Sequence, residues 1–162
     1  MDIHTIIDSP LGEILLVGDG AGRLTRVSFD VGTPPGRREP AAFEEAERQL
    51  GEYFAGGRTS FDLPLAARGT AFQQRVWAEV AALPYGTTTS YGELTARAGV
   101  ARDRVRAVGA AIGANPLLVV VPCHRVVAAD GALTGYAGGL ERKCDLLTLE
   151  GVLQPQLWSV LS

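Results

Sequence analysis

The chain has 162 residues, 46% hydrophobic and 20% charged, with a formal net charge of −3. That length supports one domain, or two small lobes around one core, without disulfides or a structural metal, and the apolar content excludes global disorder. No apolar run approaches a membrane span, the opening MDIHTIIDSP lacks the basic-then-apolar pattern of a secretory leader, and two cysteines make no disulfide framework, so a cytoplasmic protein is expected.

Residues 5–7, 13–17 and 24–29 are short β-branched-rich runs. Ser9-Pro10-Leu11-Gly12 and Gly18-Asp19-Gly20-Ala21-Gly22 separate them, which is the turn chemistry of three antiparallel strands. Residues 31–40 are too rich in Pro and Gly for regular structure. Over 41–55, Phe43, Ala46, Leu50, Tyr53 and Phe54 recur at the helical period until Gly56-Gly57 stops the helix. Residues 61–65 are a candidate fourth strand. This first lobe, 1–68, carries 7 Arg or Lys against 11 Asp or Glu and offers no chemistry.

A second lobe, 69–162, opens at Thr70 and Gln73, which have capping-box spacing ahead of Phe72, Val76, Val80 and Leu83. Ser90 and Glu93 repeat the spacing before a short helix with Tyr91, Leu94 and Ala98 inward. A further helix runs over 102–113 with Val105, Val108 and Ile112 as its buried stripe. Two short helices around a glycine turn give a helix-turn-helix outline. Within 97–106 stand Arg97, Arg102, Arg104 and Arg106 against one acid, Asp103. The outer face of the second helix reads Arg102, Arg106, Gly109, Ala110, Gly113: small residues that let a duplex approach, with cations for phosphates or the base stack. Close packing against another helix explains the same glycines equally well at this point.

Residues 117–121, LLVVV, read as a fully buried strand that Pro122 ends, presenting Cys123 where the sheet meets the next loop. His124 beside it and Arg125 two residues on both favour thiolate. Adjacent side chains diverge on an extended backbone, so His124 reaches the thiol through a bridging water, and Glu150 is the carboxylate available to orient the imidazole. Cys144 shares a stripe with Leu140 and Leu147 in a helix over 140–150 and reads as a core filler. His4, Cys123, His124 and Cys144 lack the paired spacings of a zinc site, so neither metal nor cofactor is expected.

Pro122-Cys123-His124-Arg125-Val126, with Asn115-Pro116 before it and Gly135-Tyr136-Ala137-Gly138-Gly139 and Glu150 after it, resembles the O6-alkylguanine-DNA alkyltransferases. Phe72-Gln73-Gln74-Arg75-Val76-Trp77, Pro84-Tyr85-Gly86, Ser90-Tyr91 and Arg106-Ala107-Val108-Gly109 match in the same order, so the dense resemblance spans about 69–150. It implies a mixed α/β (α+β) fold with an N-terminal ribonuclease H-like antiparallel-sheet lobe and a C-terminal helical lobe carrying the helix-turn-helix and the active-site cysteine.

It also implies direct-reversal repair as a stoichiometric methylated-DNA–protein-cysteine methyltransferase. Cys123 takes the alkyl group from O6-alkylguanine in double-stranded DNA, O4-alkylthymine being a further candidate. His124 receives the thiol proton through water, Glu150 fixes its tautomer, and Asn115 ties the turn after the recognition helix to the active-site strand. Tyr91 lends a proton to the departing base. The loop of Tyr136, Ala137 and Gly138 closes over the guanine with the Ala137 amide directed at O6. Arg106 fills the stack, with Arg102 and Arg104 as alternative fingers, and Arg125 completes the basic contacts. Helix 102–113 enters the minor groove of a duplex bound by a monomer, and cooperativity along DNA is left open. Ala137 stands where many relatives carry serine, the stretch between Tyr91 and Arg106 is one residue longer than usual, and the zinc ligands of some relatives' first lobe have no counterpart. A non-reactive damage sensor would lack Cys123, and a helix-turn-helix regulator leaves His124, Glu150 and the glycine loop unexplained.

Overall fold

The structure, a computed structural model, describes residues 1–153; the end of the second lobe, 154–162, lies outside the described residues. Ser9 turns the chain between its first two strands, its hydroxyl accepting from the Leu11 amide and donating to the Gly12 carbonyl at 2.6 Å. β1 (Ile3–Ile7) and β2 (Ile14–Gly18) pair antiparallel, and β3 (Leu24–Ser28) adds antiparallel to β2. The loop over 31–40 is less irregular than its composition suggests. Arg37–Arg38 forms β4, parallel to β1, giving the sheet order β3-β2-β1-β4.

The expected helix over 41–55 begins instead as a 3-10 turn, Pro40–Phe43, and becomes α1 (Glu44–Phe54) only after Phe43, whose φ of −117° and ψ of 13° interrupt the helical run. The segment 61–65 makes a single bridge, Leu65 with Leu24, rather than a strand. Pro64 has no amide to donate and contributes only its carbonyl, which accepts from Leu24 at 2.8 Å.

In the second lobe, α2 (Ala71–Ala81) opens on a complete capping box between Thr70 and Gln73, a device worth about 1 kcal/mol. Ser90 caps α3 (Tyr91–Arg97), but the Glu93 carboxylate accepts from the Thr89 hydroxyl and leaves the second box half-formed. The helix expected over 102–113 is divided into a 3-10 turn, Arg102–Arg104, and α4 (Val105–Gly113), which buries Val108, Ala111 and Ile112. The Trp77 indole fixes α4 to α2 by donating to the Ala111 carbonyl at 2.7 Å.

The largest departure from expectation is 117–121. Leu117 makes one bridge to Val27 of β3, and the chain then coils, with the Val121 amide donating back to the Leu117 carbonyl. Val119 has φ 69°, a strained value for a β-branched residue, held in place by nearly complete burial. Apolarity there signals burial, not extension. Asn115 braces the coil: its Nδ2 donates to the Val121 carbonyl and its Oδ1 accepts from the Leu117 amide, both at 2.9 Å.

Cys123–Arg125 is a 3-10 turn, so the thiol stands on a turn and not at a strand end. It leads into β6 (Val126–Val127), which pairs parallel with β5 (Thr89–Ser90). The last helix, α5 (Leu140–Leu149), buries Lys143, Leu146 and Leu147. That stripe is displaced from the expected one, leaving Leu140 50% exposed and Cys144 only half-buried. One contiguous core joins Leu16, Leu50 and Tyr53 of the sheet lobe to Val76, Val108, Leu117 and Leu146 of the helical lobe. No described helix is long and apolar enough to cross a membrane.

Candidate active site

A cavity of about 240 Å³ opens beside α4, lined by Tyr91, Gly109, Ile112, Gly113, Cys123, Gly135, Tyr136 and Ala137. The two α4 glycines face it: a Cβ at Gly113 would meet nothing, and one at Gly109 would touch only Tyr91, at an ordinary 3.9 Å. Helix packing therefore does not account for them; they leave the approach to the thiol open.

Cys123 is 4% exposed. Burial pushes its thiol up to about 11, against smaller opposing effects from an Asn115 hydrogen bond and the Lys143 charge. The expectation that His124 and Arg125 favour thiolate is corrected here, because desolvation dominates. The thiol is protonated at neutral pH and needs a base.

His124 is fully buried. Its Nε2 lies 2.7 Å from Glu150 Oε2, while its Nδ1 has no partner. Burial lowers its pKa despite Glu150, so the imidazole is neutral at pH 7, and the carboxylate fixes the proton on Nε2. Burial alone would raise Glu150, but hydrogen bonds from His124 and Arg125 outweigh it and bring the carboxyl down to about 2.

Arg125 holds Glu150 with both arms of its guanidinium, Nε at 2.8 Å and Nη2 at 2.9 Å, and donates through Nη1 to the Leu83 carbonyl. Expected among the DNA- or substrate-contacting residues, Arg125 is instead 6% exposed and turned inward. A buried pair of this kind is expensive to break, about 3–5 kcal/mol when one partner is removed.

The loop over 134–138 is fastened at both ends by neighbours on α5. Lys143 Nζ donates to the carbonyls of Val126 at 2.6 Å, Thr134 at 2.7 Å and Gly135 at 3.3 Å. Arg142 donates to Gly138 at 3.1 Å and to Leu11, in the β1–β2 turn, at 2.9 Å, with its guanidinium over the Phe29 ring. Gly138 is buried and does not line the cavity. A Cβ there would lie 2.6 Å from Tyr136 and 2.9 Å from Phe29.

Tyr91 stands at the mouth, its hydroxyl 3.4 Å from the Thr134 carbonyl. Arg102 and Arg106 are exposed and outside the cavity, and Arg104 stacks on Phe72 at 4.8 Å. Among the described residues, no group of three or more His, Cys, Asp or Glu could hold a metal ion.

The family described as 6-O-methylguanine DNA methyltransferase matches twice, its ribonuclease-like domain over residues 3–67 and its DNA binding domain over 71–152. The chain belongs to the 6-O-methylguanine DNA methyltransferase family. The methylated-DNA–protein-cysteine methyltransferase of Mycobacterium tuberculosis is 47% identical over 151 residues, 91% of each chain. That of Methanosarcina acetivorans is 47% identical over 154 residues, 91% of this chain and 97% of its own. The crystal structure of Mycobacterium tuberculosis OGT in complex with DNA superposes with a TM-score of 0.87 at 44% identity, covering 99% of both chains.

Three side chains at this methyltransferase-family site escaped the sequence reading: Lys143, Arg142 and Tyr53, whose hydroxyl donates to Glu150 Oε2 at 2.6 Å. Lys143 did carry a signal. It is the single lysine in a chain whose other basic residues are all arginine.

Proposed function

We propose that this chain repairs O6-alkylguanine in double-stranded DNA by a single, irreversible transfer of the alkyl carbon to Cys123. The observation that carries the reading is a protonated thiol on the wall of an open cavity, next to a neutral imidazole whose Nδ1 is buried without a partner and whose Nε2 is fixed by Glu150. A water between Nδ1 and Sγ passes the thiol proton to His124. The sulfur lone pair forms the S–C bond while the C–O6 bond breaks and its electrons go to the base. The guanine takes one proton at its edge from Tyr91, which regains it from solvent as His124 releases the thiol proton, so that thiol and alkylguanine become thioether and guanine. The Ala137 amide, on the loop tethered by Lys143 and Arg142, stabilises the developing charge on O6 as an oxyanion hole would.

The reacting carbon is shielded inside a duplex, so the nucleotide leaves the stack, at a cost of a few kcal/mol. Arg106, exposed on the open side of α4, fills the gap from the minor groove, with Arg102 nearby for phosphate. A thioether has no low-energy exit, so each molecule acts once. Residues 1–68 act as the supporting lobe and 69–162 as the DNA-binding and transferring one.

Incubation with a duplex bearing one O6-methylguanine should add about 14 Da to the intact mass, capped at one equivalent and mapped to Cys123. Cys123→Ser should bind the duplex and gain nothing. An adduct on Cys144 with Cys123 unmodified would overturn the assignment.

A further inference from the structure

The first lobe reaches the proton-accepting pair through one phenol. The Tyr53 ring is stacked in the core, edge-on to Phe54 at 5.3 Å and to Tyr85 at 6.2 Å and tilted on Phe61 at 5.4 Å. Its hydroxyl donates to Glu150 Oε2, the same oxygen that faces His124 Nε2 at 2.7 Å and accepts from Arg125 Nη2 at 2.9 Å. A carboxylate oxygen shared by three donors disperses its charge and stabilises a neighbouring imidazolium less than an unshared one.

The groups facing the pair are Tyr53 of α1, Tyr85 and the Gly86 amide ahead of β5, Cys123 and Arg125 of the 3-10 turn, Tyr136 of the cavity loop and Lys143 of α5. Arg125 and Lys143 both oppose a charged His124, and Glu150 is its one stabilising partner. Tyr53 acts on that partner.

We propose that Tyr53 is a positioning residue for alkyl transfer: by sharing the Glu150 oxygen that binds His124, it keeps the imidazole uncharged, and its Nδ1 open to the thiol proton, at neutral pH. This rests on the function proposed above.

Tyr53→Phe deletes the hydroxyl and keeps the ring stack. His4 and His124 are the only histidines, so imidazole NMR resolves the titration of each. His124 should titrate about 0.5–1 pH unit higher in the variant, and the acid limb of single-turnover transfer from free O6-benzylguanine should move by the same amount. Phe61→Leu, which loosens the stack without touching the hydroxyl, should lower Tm and leave both readings in place. An unmoved His124 in Tyr53→Phe, or an equal displacement in Phe61→Leu, overturns the proposal. A wild-type chain that takes up no alkyl group overturns the function itself, and mass measurement reports that separately from the titration.

Discussion

Lys143→Met tests how the cavity loop is held. Methionine fills most of the volume of the lysine stem and removes every donor. Thr134 and Gly135 are exposed residues whose bonds to the ammonium are only part-buried, so water can replace it at their carbonyls, but Val126 is fully buried and its carbonyl cannot be resolvated. A charge-assisted bond lost without replacement is worth about 1.5–3 kcal/mol. The burial that lowers the Lys143 pKa offsets part of it, leaving a net loss of about 1–2 kcal/mol. For a chain of this size Tm should fall by about 2–8 °C. The kinetic effect should be larger, because Tyr136 and Ala137 lose their fixed distance from the thiol, and a misplacement of about 1 Å costs on the order of 100-fold in rate. Calorimetry gives the first number. Mass-monitored transfer from free O6-benzylguanine, run well below Tm, gives the second. A variant with lowered Tm but transfer within about twofold of wild type would refute the tethering argument.

Acid should destabilise the fold in two stages. Burial keeps His124 below its ordinary 6.5, and the donors around Glu150 bring it from 4.5 to about 2. In both cases the unfolded chain binds the proton first, so stability complete above about pH 6.5 declines just below it. It declines again between about pH 4.5 and 2, where Glu150 alone accounts for about 3 kcal/mol. Equal urea midpoints at pH 7 and pH 3 would contradict this. Gly138→Ala should cost about 1–3 kcal/mol, because its Cβ displaces the Tyr136 and Phe29 rings. It should also slow transfer from the free base, and an unchanged rate would show that Tyr136 is not held from behind. Arg106→Ala should weaken lesion-duplex repair far more than reaction with O6-benzylguanine, since a finger is idle without a stack. Equal losses in both assays would remove that role.

What the sequence made legible was local. Thr70 and Gln73, three positions apart, announce a helix start that they complete between themselves, and Cys123-His124 with a downstream Glu150 announces a nucleophile and its base. What it concealed depends on distant partners. Tyr53 sits in an apolar helical stripe and reads as core, and its acceptor lies 97 residues away. Arg125 reads as a surface cation because nothing nearby in the chain reveals that Glu150 and the Leu83 carbonyl enclose it. The LLVVV run misleads for a different reason: a buried coil braced by Asn115 and a buried strand share one hydropathy pattern.

The Arg142 bridge bears on modularity. Because one guanidinium grips the hairpin at Leu11, lies over Phe29 and secures Gly138, the sheet half and the reactive half cannot be interchanged as separate cassettes. A chimera grafting a foreign amino-terminal half onto this carboxy-terminal one would have to import an aromatic at position 29 and a hairpin of matching shape. Otherwise it would carry an intact nucleophile beneath a roof hinged on one side only.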